Sequence, residues 1–322
     1  MQIGSISARK GEKAFGFFNA ALTHGQFDAQ IPLHIVNGAS DGPTLLIQAG
    51  VSGVEIEPAM ILPKIIDELD PASIAGTLLL VPLLNISGFE FEQQNAIWDN
   101  KDLATLGRGR EDGSISEQVI FRYYQDVVSP SDAVVDIRTG ALWGYFRYVG
   151  VYETGKVEQS RDLALALGLP QVLIGQPSDR SMVFEAAQDG KIVASAWIGG
   201  GPGLRDYRNE DLNRIRQTVL NAMRHLGMLA EDIVIEEPGV SLLKAHSVIN
   251  KTGKRGMVFM AKDKRGKSVV AGEQIGVVRH PFRGDVIATI TAPRDGVMLH
   301  AGAVWPMPPE DALLAILGDP VT

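Results

Sequence analysis

The 322-residue sequence contains no cysteine. That absence excludes disulfides, thiolate metal sites and cysteine nucleophiles together. No stretch approaches the roughly 20 apolar residues a helix needs to cross a bilayer, and the opening "MQIGSISARKGEK" lacks the apolar core of a secretory signal. The expected location is the cytoplasm, with no role at a membrane. Positive charge is in short supply: 30 Lys and Arg stand against 38 Asp and Glu, a net charge of -8, with no concentrated basic stripe. Nucleic acid and anionic membranes are poor partners for such a chain. A small molecule or another protein is expected instead. Histidine is sparse as well. His24, His34, His225, His246, His280 and His300 are scattered, none paired at i, i+3 or i+4, so no metal-binding helix emerges. There is no internal repeat and no low-complexity tract.

What the sequence does have is enough apolar material for a sizeable core, 45% of residues, in a chain longer than a usual single domain. "IPLHIVNG" alternates like a strand, "SDGP" reads as a turn, and "TLLIQAG" is a buried-strand run. Pro58 suits the first turn of a helix, "PAMILPKIIDELD". "GTLLLVPLLN" reads as a strand ending at Asn85, followed by a long polar loop from Ile86 to about Gly113 with little regular pattern. "SEQVIFRYYQDVV" has helical periodicity with Ser116 as cap, and "DAVVDIRTG" is a buried strand. "RDLALALGLP" reads as a helix, "QVLIG" and "KIVASAWIGGG" as strands, and "NEDLNRIRQTVLNAMRHLGM" as an amphipathic helix. Alternating strands and helices argue for an α/β layer structure over residues 1–235. From residue 236 to 322 brief apolar runs separated by Gly, Pro and charged turns predict a small β-barrel or sandwich. Its "DKRGKS" resembles the tip that carries the modified lysine in biotinyl and lipoyl carrier domains, but the usual flanking methionines are missing.

Five collinear segments, "GPTLLIQAGVSGVEIEPA", "LLLVPLLNISGFEFEQQNAIWDNKDL", "DAVVDIRTG", "GKIVASAWIGGG" and "LNAMRHLGML", together resemble the succinylglutamate desuccinylase/aspartoacylase family, relatives of the zinc carboxypeptidases. The resemblance implies a zinc-carboxypeptidase-like mixed-sheet α/β domain with a smaller C-terminal β domain. It also implies amide cleavage of N-acyl amino acids by a zinc-bound water. Carried over position by position, the family's machinery meets substitutions. The first zinc motif, His-x-x-Glu, falls on Ser52 and Glu55, and the third ligand, a His two residues after Asp136, falls on Arg138. A hydroxyl is a poor zinc ligand, and a guanidinium has no lone pair to offer. The substrate-binding Arg of the loop falls near Gln94, beside Glu90. The Asn and Arg of an Asp-x-Asn-Arg element fall on Ala104 and Thr105, and the general-base Glu on Trp197. A "DLNR" string at Asp211 to Arg214 lies in the late helix and reads as a solvated helix start. "GGGPG" at 199–203 reads as a turn.

These positions predict a degenerate site of Ser52, Glu55, Arg138 and Trp197, no catalytic residue, and no metal with Glu55 the one retained ligand. A Glu55–Arg138 ion pair is expected in place of the ion. For Ser52 a turn hydroxyl, for Glu55 a first-turn helix carboxylate, and for Trp197 simple packing are the plainer accounts. Asn85, Gln94, Asp136 and Arg138 are the candidates for binding a ligand. The expected function is that of a metal-free, noncatalytic homologue that binds a small acidic molecule or a protein partner, with a homo-oligomer among the expected assemblies. The rival expectation is an active zinc-dependent hydrolase that deacylates N-acyl amino acids.

Overall fold

The computed structural model describes the chain except residues 23–27, 143, 176–179, 201–206, 237–238, 302–303, 311 and 322. It divides into two compact units, one comprising Met1–Val172 and Ser178–Val240, the other Leu173–Pro177 and Ser241–Thr322.

In the first unit the elements are β1 (Gln2–Ile3), β2 (Ile6–Ser7), β3 (Glu12–Leu22), β4 (Asp28–Asn37), β5 (Ser40–Ala49), α1 (Glu57–Glu68), β6 (Ala75–Val81) and α2 (Ile86–Glu90). They continue with α3 (Ile115–Tyr123), β7 (Ala133–Arg138), β8 (Phe146–Val151), α4 (Val157–Ala166), α5 (Met182–Gln188), β10 (Ile192–Gly199) and α6 (Asn209–His225), while β9 (Gln171–Ile174) is divided between the two units. The mixed sheet runs β8-β10-β7-β5-β6-β4-β3. Its centre is parallel, β6 to β5, β5 to β7 and β7 to β10, while β8 and β4 run antiparallel to their neighbours. Both faces of the central strands are covered, which is why they read as continuous apolar runs instead of alternating ones. One face gathers Leu33 and Ile35 of β4, Leu46 of β5, Leu79 of β6 and Val134 of β7 against Val119, Ile120 and Tyr123 of α3. On the other, α1 and α6 pack together and bury Leu62, Ile65, Ile215 and Val219.

The second unit holds β11 (Ser241–Ile249), β12 (Met257–Met260), β13 (Ser268–Val269), β14 (Gln274–Arg279), β15 (Val286–Thr291), β16 (Gly296–Ala301), β17 (Val304–Trp305) and β18 (Leu313–Pro320). One antiparallel ladder runs β13-β16-β18-β11, and a separate four-stranded sheet runs β15-β14-β12-β17. Val258, Ile275, Val278, Met298, Leu314 and Leu317 form its core.

The α/β class with a mixed sheet and a separate β region matches the sequence expectation; several local readings change. "SDGP" is a bulge inside β5, not a turn: the three residues between Ser40 and Thr44 oppose the single residue between Ala75 and Thr77. The cap of α3 is Ser114, because its backbone N–H bonds the Glu117 carboxylate at 2.9 Å, while Ser116 binds Asp99 through its hydroxyl at 2.5 Å. The "loop" after Asn85 contains α2 and a 3-10 turn at Leu103–Thr105 capped by Asp102. β3, β8 and α5 carried no readable pattern in the sequence.

Candidate functional site

The carboxyl ends of β5, β7 and β10 meet at one place. After β5 the chain bends through Ser52 to Val54 before α1 starts. Gly53 makes the bend possible, since a Cβ there would lie 2.2 Å from the Gly88 carbonyl carbon and 2.4 Å from Phe89 N. This brings the α2 loop directly over the bend. Gly200, at φ +85°, lets the chain leaving β10 pass the Gly140 backbone, where a Cβ would come within 2.5 Å. Its N–H donates to Glu57 Oε1 at 3.0 Å.

Glu55, 1% exposed, sits at the centre. Arg138 Nε donates to its Oε1 at 2.8 Å, Thr139 N–H to the same oxygen at 3.2 Å, and Ser52 N–H to Oε2 at 3.1 Å. The ion pair expected from the sequence therefore forms. Arg138 Nη1 is also 3.8 Å from Asp136 Oδ2. Asp136 accepts from Gln48 Nε2 at 3.0 Å, and Gln48 in turn accepts from the Tyr123 hydroxyl at 3.2 Å. Strand register explains the gathering: Gln48, Asp136 and Ser195 lie in one row across β5, β7 and β10, and Arg138, Trp197 and Tyr148 in the row two residues on. Residues two apart share a face. Trp197 stacks on Tyr148 with centroids 5.9 Å apart, meets Phe146 edge-on at 5.5 Å, and carries the Arg138 guanidinium carbon 5.0 Å from its ring centre.

Burial sets the electrostatics. It pushes the carboxyls of Glu55 and Asp136 above their ordinary range, against the pull of the Arg138 guanidinium. Burial works on Arg138 in the opposite sense, but the two carboxylates more than offset it, and its pKa lies above the usual value. Glu57 is raised by the same desolvation, opposed by N–H groups at the helix start and by Gly200.

The other expected residues are placed as follows. Asn85 is fully buried and caps α2: its Oδ1 accepts from Gly88 N–H and the Ser87 hydroxyl, and its Nδ2 donates to Gln94 O. Its polar atoms serve the loop. Gln94 donates to Asp102 at 2.9 Å, Glu90 is exposed, and Ala104 and Thr105 form the 3-10 turn. Asp211, expected in a solvated helix start, is instead 1% exposed and accepts from the Tyr145 hydroxyl at 2.8 Å and Arg214 at 3.4 Å. It faces the inner side of α6 because the apolar stripe of that helix rotates its first turn inward. Gly201 to Gly203 of the "GGGPG" turn, and His24, lie outside the described residues. Ser52 Oγ and Trp197 Nε1 are buried without a hydrogen-bond partner among the described residues. Sequence reasoning missed Gln48, Glu57, Tyr123, Thr139 and Tyr148; the one available signal was Gln48, a lone amide in an otherwise apolar strand.

Among the described residues no group of three or more His, Asp or Glu side chains gathers as a metal-binding set, and no helix is long and apolar enough to cross a membrane.

Polar side chains gathered at the carboxyl ends of parallel strands define an α/β protein with its site at the usual edge of such sheets. Residues 41–226 match the succinylglutamate desuccinylase/aspartoacylase catalytic domain, and the chain belongs to that family. An N-alpha-acetyl-L-2,4-diaminobutyric acid deacetylase of Halomonas elongata is 25% identical over 219 residues, 66% of this chain; the match spans 63% of the length of that curated relative. A succinylglutamate desuccinylase/aspartoacylase from Rhodobacter sphaeroides superposes with a TM-score of 0.85 at 16% identity, covering 99% of this chain and 100% of the other. The product-bound ectoine utilization protein EutE (DoeB) from Ruegeria pomeroyi gives 0.81 at 18% identity over 99% of each chain. At these identities the structural likeness speaks for the fold.

Proposed function

We propose that this chain is a metal-free, noncatalytic member of its family, in which the Arg138 guanidinium takes the electrostatic place of a divalent ion. The observation that carries the reading is the 2.8 Å contact between Arg138 Nε and Glu55 Oε1. Both carboxylate oxygens are engaged, one by Arg138 and Thr139, the other by Ser52 N–H. A catalytic zinc takes three protein ligands with lone pairs. Here Ser52 offers a weak one, Arg138 none, and Glu55 is already occupied, so these donors do not fit the ion. Trp197, at the position the resemblance assigns to the general base, has an indole N–H that only donates.

Charge balance also bears on the partner. Arg138 faces two carboxylates, Glu55 and Asp136, which leaves no spare positive charge for a small acidic ligand. A protein partner fits the surroundings better, because Phe89, Phe91 and Ile97 of the loop over the site are 37%, 58% and 40% exposed. We place the protein in the cytoplasm as a binding or regulatory partner. The test is purification without added metal, followed by zinc determination and turnover assays with N-acetyl and N-succinyl amino acids, including N-acetyl-2,4-diaminobutyrate, the compound named for the Halomonas relative. Neither zinc nor turnover is expected. Stoichiometric zinc, or turnover abolished by a chelator, replaces this reading with that of an active zinc-dependent amide hydrolase.

A further inference from the structure

On a chain of net charge -8, one corner of the second unit is basic. Lys251, Lys254 and Arg255 are exposed just ahead of β12. Arg279 lies beside them at the end of β14: Met257 pairs with it, and a Cβ on Gly256 would sit 2.5 Å from its carbonyl oxygen. The turn between β14 and β15 adds Arg283, paired with Asp285 at 3.0 Å. Lys251, Lys254, Arg255, Arg279 and Arg283 thus outnumber the described carboxylates beside them, Asp285 and Glu310, the latter brought near Lys251 because Asn250 Nδ2 donates to Pro309 O at 3.0 Å. At the tip of this turn Phe282 is 92% exposed. The turn is firmly built around it. His280 Nδ1 accepts the N–H groups of Phe282 and Arg283 at 3.2 Å each, Arg279 Nη1 donates to Gly284 O at 2.9 Å, and Gly284 N–H donates to His280 O at 2.9 Å.

The first unit carries the complementary chemistry. Phe89, Glu90, Phe91 and Glu92 are consecutive and exposed at the end of α2, and the close approach of Gly53 to Phe89 holds them over the Ser52–Glu55 bend. Rings and carboxylates alternate there as rings and cations do around Phe282.

We propose that the Phe282 turn of one molecule docks on the Phe89–Glu92 rim of a second copy of this chain, ring against rings and Arg283 with its basic neighbours against Glu90 and Glu92. An aromatic anchor ringed by arginine is the usual make-up of an interface hot spot. The overall negative charge disfavours polyanions such as nucleic acid or anionic lipid, whereas the rim supplies both apolar seat and countercharge. The contact sets a residue of the partner copy at the mouth of the site. It rests on the partner half of the function proposed above and is independent of the metal half.

Sedimentation velocity of the full chain over a wide concentration range, at low and high salt, tests it. The expected result is self-association that weakens with salt. Phe282→Ala raises the dissociation constant about 30-fold, the effect of losing one hot-spot aromatic, with an unchanged melt because the ring is solvent-exposed. Arg283→Glu weakens association, and adding Glu90→Arg restores it. A monomer at every concentration, association indifferent to all these changes, or binding of the Phe282 turn to anionic vesicles or single-stranded oligonucleotide without self-association overturns the proposal. Zinc content and hydrolysis of the same preparation report separately on the metal: a zinc-free monomer sinks only the docking, a zinc-loaded oligomer only the metal-free reading.

Discussion

Arg138 is the residue on which the site turns. It is a cation only 13% exposed whose neighbours, Glu55 and Asp136, are buried anions, and removing it strands two charges in a low-dielectric setting. Arg138→Ala is therefore expected to destabilise the fold by about 3 to 5 kcal/mol in urea unfolding, and Arg138→Lys by less, since it keeps the charge but loses the planar contact with Trp197. Glu55→Gln in the Arg138→Ala background should recover part of the loss, because the stranded charge is then gone; equal melts for parent and Arg138→Ala would remove the buried pair from the account. The pH response follows from the same burial. Glu55, Asp136 and Glu57 have folded-state pKa values raised above their unfolded ones, so the folded chain binds protons more readily in that window. Stability from these groups is greatest below the unfolded value and declines as pH rises through the folded one. A denaturation series across the acid range should show this limb, and Glu57→Gln should flatten it.

At the scale of elements, α3 shows the opposite titration. Glu117 accepts from Lys101 Nζ at 2.6 Å and from Ser114 N–H, which with the Ser114 side chain hold its pKa at about 2. Its contribution is present above the ordinary carboxylate value and lost as pH falls from there toward about 2; Glu117→Gln should abolish that acid-side loss in the same titration. The bend after β5 is an element-scale constraint as well. Gly53→Ala would push a methyl into Gly88 and Phe89 backbone atoms that cannot rotate away, with an expected cost of about 2 kcal/mol or more and a displaced α2 loop, readable as faster amide exchange over 86–97. Elements were legible where pattern and chemistry coincide. The apolar runs of β5, β6 and β7 and the stripe of α6 announce themselves, whereas Ser114 and Ser116 offer the same hydroxyl, and the bond of Ser114 N–H to Glu117, with Asp99 holding Ser116, decides which one caps. "SDGP" has turn composition, yet pairing of its flanks with β6 keeps it in the strand.

Across the whole molecule, the sequence order of strands and helices revealed the fold class, and the alternation Asp136-Ile137-Arg138 placed two charged side chains on one face. What stayed hidden was register. That Gln48, Asp136 and Ser195 share a row, with Trp197 and Tyr148 beside Arg138, depends on pairing between residues as far apart in sequence as Gln48 and Asp136, and no local pattern encodes it. The same register makes a global measurement possible. Ser52, in the bend after β5, and Arg138, at the end of β7, both adjoin Glu55, so Ser52→His with Arg138→His sets two imidazoles around a freed carboxylate, the donor set of a zinc site. A metal that binds only the folded state raises the melting temperature in proportion to the logarithm of its concentration above the dissociation constant. The double variant should accordingly melt low without metal and climb with added zinc, while the parent melts at one temperature with zinc or with chelator. Hydrolysis of N-acyl amino acids should not return, because Trp197 still presents a donor where a proton acceptor is required. A parent protein that itself stabilises on zinc addition would place the ion, not the guanidinium, at the centre of the fold.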